Sequence, residues 1–254
     1  MCELLGFSSD KPYSVKKLLK GFYQHAMLNN HPHGWGLLNY ERTDMNPLYL
    51  RESIPAYESE TIEKVLSKKV MSRLLIGHIR FASKGILSIA NTHPFVERIN
   101  GVDWTLAHNG TLYGKLDGIY KGKRTPAGGT DSERILCRLA DALESSKKDE
   151  YRTIEETLAK ITNLGMMNLI FTDGRRMFVY CNRAKSLFES TGYSGCKIIM
   201  TAPLGGVSWT PIETKKLFVY ENGREIYSGN FMRGIYYAEP LSFSNYRYNI
   251  EEVD

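Results

Sequence analysis

Apolar residues recur along this chain at two spacings, every second position and every third or fourth, and the switches between them divide it into strands and helices. Cys2 to Phe7 is a short apolar run that reads as a buried strand. Val15, Leu18, Leu19, Phe22 and Ala26 follow at helical spacing, with Ser14 placed to cap the helix and Asn29-Asn30 to close it. Residues 34–40 and 48–50 read as strands, 59–66 as a helix and 74–81 as a further strand; Asn91 to Phe95 reads as loop. Trp104 to His108 runs as a strand into Asn109-Gly110. Thr130-Asp131-Ser132-Glu133 has capping-box form ahead of Ile135, Leu136, Leu139 and Leu143, and a second helix covers Ile154 to Leu164. The remainder is strand-rich: residues 168–172 and 176–180 flank an Asp173-Gly174 turn, and 217–221 turns back at Asn222-Gly223. With no linker, repeat or low-complexity stretch, the pattern predicts a single α+β domain in which helices enclose two sheets.

Composition narrows the function without naming it. The 254 residues are 42% hydrophobic and 24% charged, enough to bury a sizeable core. The net charge of +5 is thinly spread, 33 basic residues among 28 acidic ones, and no basic stripe or nucleic-acid motif accompanies it. Cys2, Cys137, Cys181 and Cys196 form neither a disulfide framework nor a Cys-x-x-Cys pair, which fits a reducing cytoplasm. Neither a signal peptide nor a run of 18 apolar residues stands in the chain, so secretion and membrane spanning are not expected.

Candidate chemistry begins at the second residue. Removal of Met1, usual before a residue as small as Cys, would leave Cys2 with a thiol and a free α-amine, a nucleophile beside a base whose ordinary pKa is about 7.7–8.0. The plainer reading is that Cys2 opens a buried strand. Asn109-Gly110 could present a side-chain and a backbone N–H to an oxyanion, or could be a hairpin turn between strands. Arg80, ending an apolar strand, could grip a carboxylate bidentately or make a strand-end ion pair. Asp131 could pair with an ammonium group or serve the start of its helix. His78, His93 and His108 lack metal-ligand spacing and read as structural, so no metal and no cofactor is expected.

Five motifs, each weak alone, stand in one order: Cys2, Gly77-His78-Ile79-Arg80-Phe81-Ala82-Ser83, Asn91-Thr92-His93-Pro94-Phe95, His108-Asn109-Gly110 and Gly129-Thr130-Asp131-Ser132-Glu133. In that order and spacing the chain resembles the class II glutamine amidotransferases, closest to stand-alone members like those of glutathione degradation and ergothioneine synthesis. The resemblance implies a four-layer αββα sandwich, the Ntn hydrolase fold, as one glutamine amidotransferase domain over residues 2–254. It makes Cys2 the nucleophile with its α-amine as base, Asn109 and Gly110 the oxyanion hole, Arg80 the site for the glutamine α-carboxylate and Asp131 that for the α-ammonium. Gly34-Trp35-Gly36 matches a glycine-rich strand near the site. Phe81-Ala82-Ser83 departs from the Arg-Tyr or Arg-Trp continuation of biosynthetic members, so contacts of the loop over glutamine should differ.

The activity so implied is hydrolysis of the γ-amide of L-glutamine or a related γ-glutamyl compound through a thioester. One alternative is a γ-glutamyl peptide or conjugate hydrolase; another, from a different class, is a catalytically silent subunit that binds glutamine. No phosphosugar-isomerase, phosphoribosyl-transferase or ATP-binding domain follows, so the expected partners are a small-molecule substrate and a separate ammonia-using or peptidase-like protein.

Overall fold

The computed structural model describes residues 1–42, 46–82, 85–191 and 195–232; Ser83, and the last part of the expected 2–254 domain, lie outside them. In chain order the elements are β1 (Glu3–Ser14), α1 (Lys16–Leu28), β2 (Trp35–Tyr40), β3 (Leu48–Glu52), α2 (Glu60–Ser67), β4 (Met71–Ile79), β5 (Phe95–Ile99) and β6 (Val102–Leu112). Then follow α3 (Leu116–Ile119), α4 (Asp131–Ser145), α5 (Glu150–Ala159), β7 (Gly165–Thr172), β8 (Arg176–Cys181) and β9 (Phe188–Ser190). The chain continues through β10 (Cys196–Met200), β11 (Thr210–Pro211), β12 (Leu217–Glu221) and β13 (Arg224–Ser228). One sheet has seven strands in the order β11-β9-β10-β1-β4-β2-β3, the other six in the order β13-β12-β8-β7-β6-β5, and the paired strands run antiparallel.

The period of two explains how the sheets layer. In β1, Leu4 faces the second sheet, while Leu5 and Phe7 face α1 with Leu19, Phe22 and Ala26. In β4, Leu74 and Ile76 point inward and Leu75 and Ile79 toward the same helices. On the six-stranded sheet Ala107, Ile170 and Val179 meet that inner face, whereas Leu106, Leu169 and Phe171 pack against Leu136, Leu139 and Ile154 of α4 and α5. Three apolar layers therefore separate four structural ones, giving the αββα sandwich of Ntn hydrolases. Among the described residues no helix is long and apolar enough to cross a membrane.

Local signals fare unevenly. Ser59 caps α2 by accepting the Ile62 N–H, and Thr130 caps α4 by accepting that of Glu133. The capping box stays half-made, because the Glu133 carboxylate accepts from Ala127 and Gly128 and ties down the preceding loop instead. Ser14 is not a cap: it ends β1 opposite Met71, and α1 starts after Val15 with no side-chain cap. Asn222 and Gly223 turn the β12–β13 hairpin with φ of 52° and 74°, as their pairing predicts. Asn109-Gly110 makes no turn, lying inside β6 opposite Asn168 and Met167.

One close approach links fold to site. A Cβ on Gly36 of β2 would stand 1.9 Å from the His93 carbonyl oxygen, so only glycine lets the segment before β5 cross there. Gly36→Ala should destabilise by about 3 kcal/mol or more, since backbone rather than a flexible side chain must move. Gly118→Ala, with nothing near the added methyl, should be close to neutral. Equal denaturant midpoints for the two variants would refute the constraint.

Candidate active site

Pairing of β1 with β4 sets Glu3 opposite Ile79, which brings the residue before one strand beside the residues after the other. Cys2 Sγ accepts the Phe81 N–H at 3.2 Å and donates toward the Phe81 carbonyl at 3.4 Å. Arg80, also backbone-bonded to Gly34 at 2.8 Å, is almost wholly buried, and its guanidinium reaches the Gly85 and Ile86 carbonyls at 3.4 and 3.3 Å. Cys2, Arg80, Phe81, Asn91, His93, Gly110 and Asp131 line one small cleft with room for about 20 Å³, roughly a single water.

The second sheet contributes through β6. Its residues Val102 to Leu106 pair with β5, while Ala107 to Leu112, beyond the end of that ladder, continue to pair with β7. Leu112 donates its N–H to Asp131 Oδ2 at 2.6 Å, away from β7. Gly110 lies two residues back, and its partner Met167 spends its own N–H and carbonyl on Asn182. By the alternation of an antiparallel ladder, the Gly110 N–H also points away from β7, on the cleft side. Glycine is required there because a Cβ would stand 1.9 Å from the Met166 carbonyl oxygen. Asn109 projects to the inner face beside this point, buried, with its Oδ1 making no hydrogen bond among the described residues.

Asp131 opens α4, with the Ser132 N–H 3.0 Å from its Oδ1. It is thus a helix-start residue that also faces the cleft. Asn91 joins the loops on either side: its Oδ1 accepts the Gly129 N–H at 2.8 Å and its Nδ2 donates to the Ile86 carbonyl at 3.0 Å. His108, which also lines the cleft, bridges Ser132 and the Met166 carbonyl.

Two histidines absent from the motifs stand beside Phe81. His33 Nδ1 accepts the Ala82 N–H at 3.0 Å, and the rings of His33 and His31 flank Phe81. His31 Nε2 lies 2.6 Å from the Met1 carbonyl oxygen. Their only sequence signal is the His31-Pro32-His33 run before Gly34-Trp35-Gly36. Burial pushes the Cys2 thiol up, against the Phe81 N–H, the amino terminus and Arg80, which pull it down. Burial pushes Cys137 and Cys181 up to about 12 and Cys196 to about 11. Among the described residues no group of three or more His, Cys, Asp or Glu side chains could hold a metal ion.

A sandwich of two antiparallel sheets between helices, with a cysteine just before a central strand, is the arrangement of the N-terminal-nucleophile class of amidotransferase. The model of the class-II glutamine amidotransferases matches residues 1–192, and the chain belongs to that family. It is 32% identical to the Methanocaldococcus jannaschii protein MJ1515 over 90% of this chain and 71% of that one. It is 30% identical to YafJ of Escherichia coli, which carries a glutamine amidotransferase name, over 72% of this chain and 73% of that one. Among solved structures, a predicted glutamine amidotransferase from Pseudomonas aeruginosa superposes with a TM-score of 0.63 at 21% identity, over 89% of this chain and all of that one. The Bacillus subtilis glutamine phosphoribosylpyrophosphate amidotransferase superposes with 0.69 at 17% identity, over 92% of this chain and 50% of that one, and with the first it shows the shared fold.

His78 and His93 sit edge to face, ring centroids 4.1 Å apart, and burial holds both imidazoles well below their ordinary value, with neighbouring charges adding to the effect. Unfolded histidine titrates near about 6.5, so below that pH the unfolded chain binds protons that the folded one refuses. Above pH 6.5 neither ring contributes; as pH falls below it, stability is lost, with a slope approaching about 1.4 kcal/mol per pH unit for each ring. Urea unfolding between pH 7 and 5 should follow that slope, less steeply in His78→Gln; a flat profile would contradict the assignment.

Proposed function

We propose that the protein, once Met1 is removed, is an N-terminal cysteine amidohydrolase acting on the γ-amide of L-glutamine or a related γ-glutamyl compound. The observation that carries the reading is the convergence of a thiol, a buried guanidinium, a carboxylate and an outward backbone N–H on one cleft. Free of Met1, the Cys2 α-amine takes the thiol proton, and Sγ attacks the γ-carbonyl carbon. The oxyanion that forms is met by the Gly110 N–H and the Asn109 side chain. The α-ammonium passes its proton to the leaving nitrogen, the C–N bond breaks, and ammonia or an amine departs. Water then hydrolyses the γ-glutamyl thioester to glutamate and restores the thiol. Arg80 holds the α-carboxylate and Asp131 the α-ammonium throughout, and a separate partner protein would consume the product.

Intact mass identifies the processed form. Cys2→Ala should abolish glutamate release, and an electrophilic glutamine analogue should add its mass to the N-terminal peptide only when Met1 is gone. Labelling of Cys137, Cys181 or Cys196 in its place would overturn the assignment. Asn109→Ala should lower kcat by roughly 10²–10³. Arg80→Ala should mainly raise KM, because the α-carboxylate carries its charge in ground and transition states alike.

Recognition should be strict at the amino-acid end and permissive at the leaving group. A ligand lacking its ammonium leaves Asp131 unmatched in a partly desolvated cleft, at about 1–3 kcal/mol or more. N-acetylglutamine should therefore be a poor substrate beside glutamine and simple γ-glutamyl amides. Equal turnover would reduce Asp131 to a helix-start residue.

A further inference from the structure

Beneath the amino terminus lies a buried polar chain that the proposed mechanism does not use. Glu3, the first residue of β1, is buried with both carboxylate oxygens engaged: Oε2 lies 2.7 Å from His25 Nδ1 and Oε1 accepts from Asn29 Nδ2 at 2.7 Å. His31, also buried, stands between this carboxylate and the terminus. Its Nε2 is 2.6 Å from the Met1 carbonyl, the His25 backbone also faces the ring, and its Nδ1, 3.9 Å from Glu3 Oε1, makes no close hydrogen bond among the described residues.

A carbonyl only accepts, so Nε2 carries a proton while Met1 is present, and in the neutral ring Nδ1 is bare. A bare nitrogen facing a buried carboxylate is the less favourable tautomer at that spot. Loss of Met1 removes the carbonyl and leaves an amine about 2.3 Å from where its oxygen stood, by standard amide dimensions. An amine can donate. The other tautomer then suits both neighbours: Nε2 accepts an amine N–H, and Nδ1–H points at the Glu3 carboxylate.

Resting on the function proposed above, we propose that His31, backed by Glu3, is a positioning residue that orients the α-amine of processed Cys2 so that its lone pair faces Sγ. His31 moves no proton in the attack step. The thiol proton passes from Sγ to the amine nitrogen, leaving thiolate and ammonium, and the imidazole fixes which way the amine's donors and lone pair point, as a carboxylate fixes the imidazole in a serine triad. The charged and titratable groups facing this corner are Glu3 from β1, His25 from the end of α1, His33 from the segment before β2, His78 from β4, Arg80 after β4 and Asp131 from α4.

The test compares His31→Leu and His31→Gln with the parent, each in the processed form and in a Met1-retaining form made with methionine aminopeptidase inhibited. One readout is the pH dependence of Cys2 alkylation by iodoacetamide, which needs no substrate; the other is the split of kcat and KM on glutamine. In processed protein, His31→Leu should move the alkylation midpoint to higher pH and lower kcat by roughly 10²-fold with KM within about twofold. His31→Gln, whose amide oxygen can accept near the Nε2 position, should recover much of the loss. In the Met1-retaining form the substitution should leave the alkylation profile unmoved. A profile unchanged in processed His31→Leu, or shifted equally with and without Met1, would overturn the inference in favour of a purely structural histidine. An alkylation profile that responds to His31 in a protein that hydrolyses no γ-glutamyl compound would refute the proposed function and leave this inference standing.

Discussion

The site depends on one constraint, the capture of a chain terminus as the middle strand of a sheet. Termini ordinarily fray because few groups hold them. Here β1 is bonded by β10 on one side and β4 on the other, and Leu4 exchanges hydrogen bonds with Thr201 through the Thr201 hydroxyl and backbone N–H. Leu4 and Leu5, on opposite faces, are both fully buried. Residue 2 inherits that rigidity without being in the strand, which is what the nucleophile of the proposed reaction, held within about 0.5 Å of a working position, requires.

Around that fixed point the two sheets divide the remaining groups. Arg80 and Phe81 follow from β4, so their distance to Cys2 is set by ladder register. Gly110 comes from β6, and Asp131 from the helix packed behind it; their position relative to Cys2 is set by the face-to-face contact of the sheets. Gly6 marks how close that contact is, since a Cβ there would lie 2.8 Å from the Met177 sulfur. Asn91, between the two groups, hydrogen-bonds to the loop that carries Ile86 and to the turn that leads into Asp131.

Much of this was legible in the sequence because strand period and motif order are local properties. The apolar runs around Leu4, Leu75 and Ile170 do form buried strands, and the motif residues Cys2, Arg80, Gly110 and Asp131 line one cleft. What was not legible was context. Asn109-Gly110 carries the strongest short hairpin signal, yet β6 runs straight through it, because Asn168 and Met167 of β7 lie opposite it, a pairing that no local rule foresees. β5 hid behind a Pro, and β10, Cys196 to Met200, is too short and too mixed to separate from its flanks. Ser14 is a good cap residue overridden by pairing with Met71. His31 and His33 were invisible as site residues, since their roles come from what crosses above them rather than from spacing.

The electrostatics of Cys2 raise a question that the architecture answers. A buried thiol resists ionisation, which protects it from oxidation but also makes it a poor nucleophile. A single strong cation beside it would lower its pKa permanently and remove that protection. The cleft offers offsetting charges instead: Arg80 favours the thiolate and Asp131 opposes it. Substrate changes that balance on the proposed reading, because a zwitterion brings a carboxylate to Arg80 and an ammonium to Asp131, neutralising both at once. The thiol is then left to the one base covalently attached to it. That arrangement ties thiolate formation to an amine whose proton is next needed by the leaving nitrogen, so the charge separated in the first step is consumed in the second and never has to be solvated.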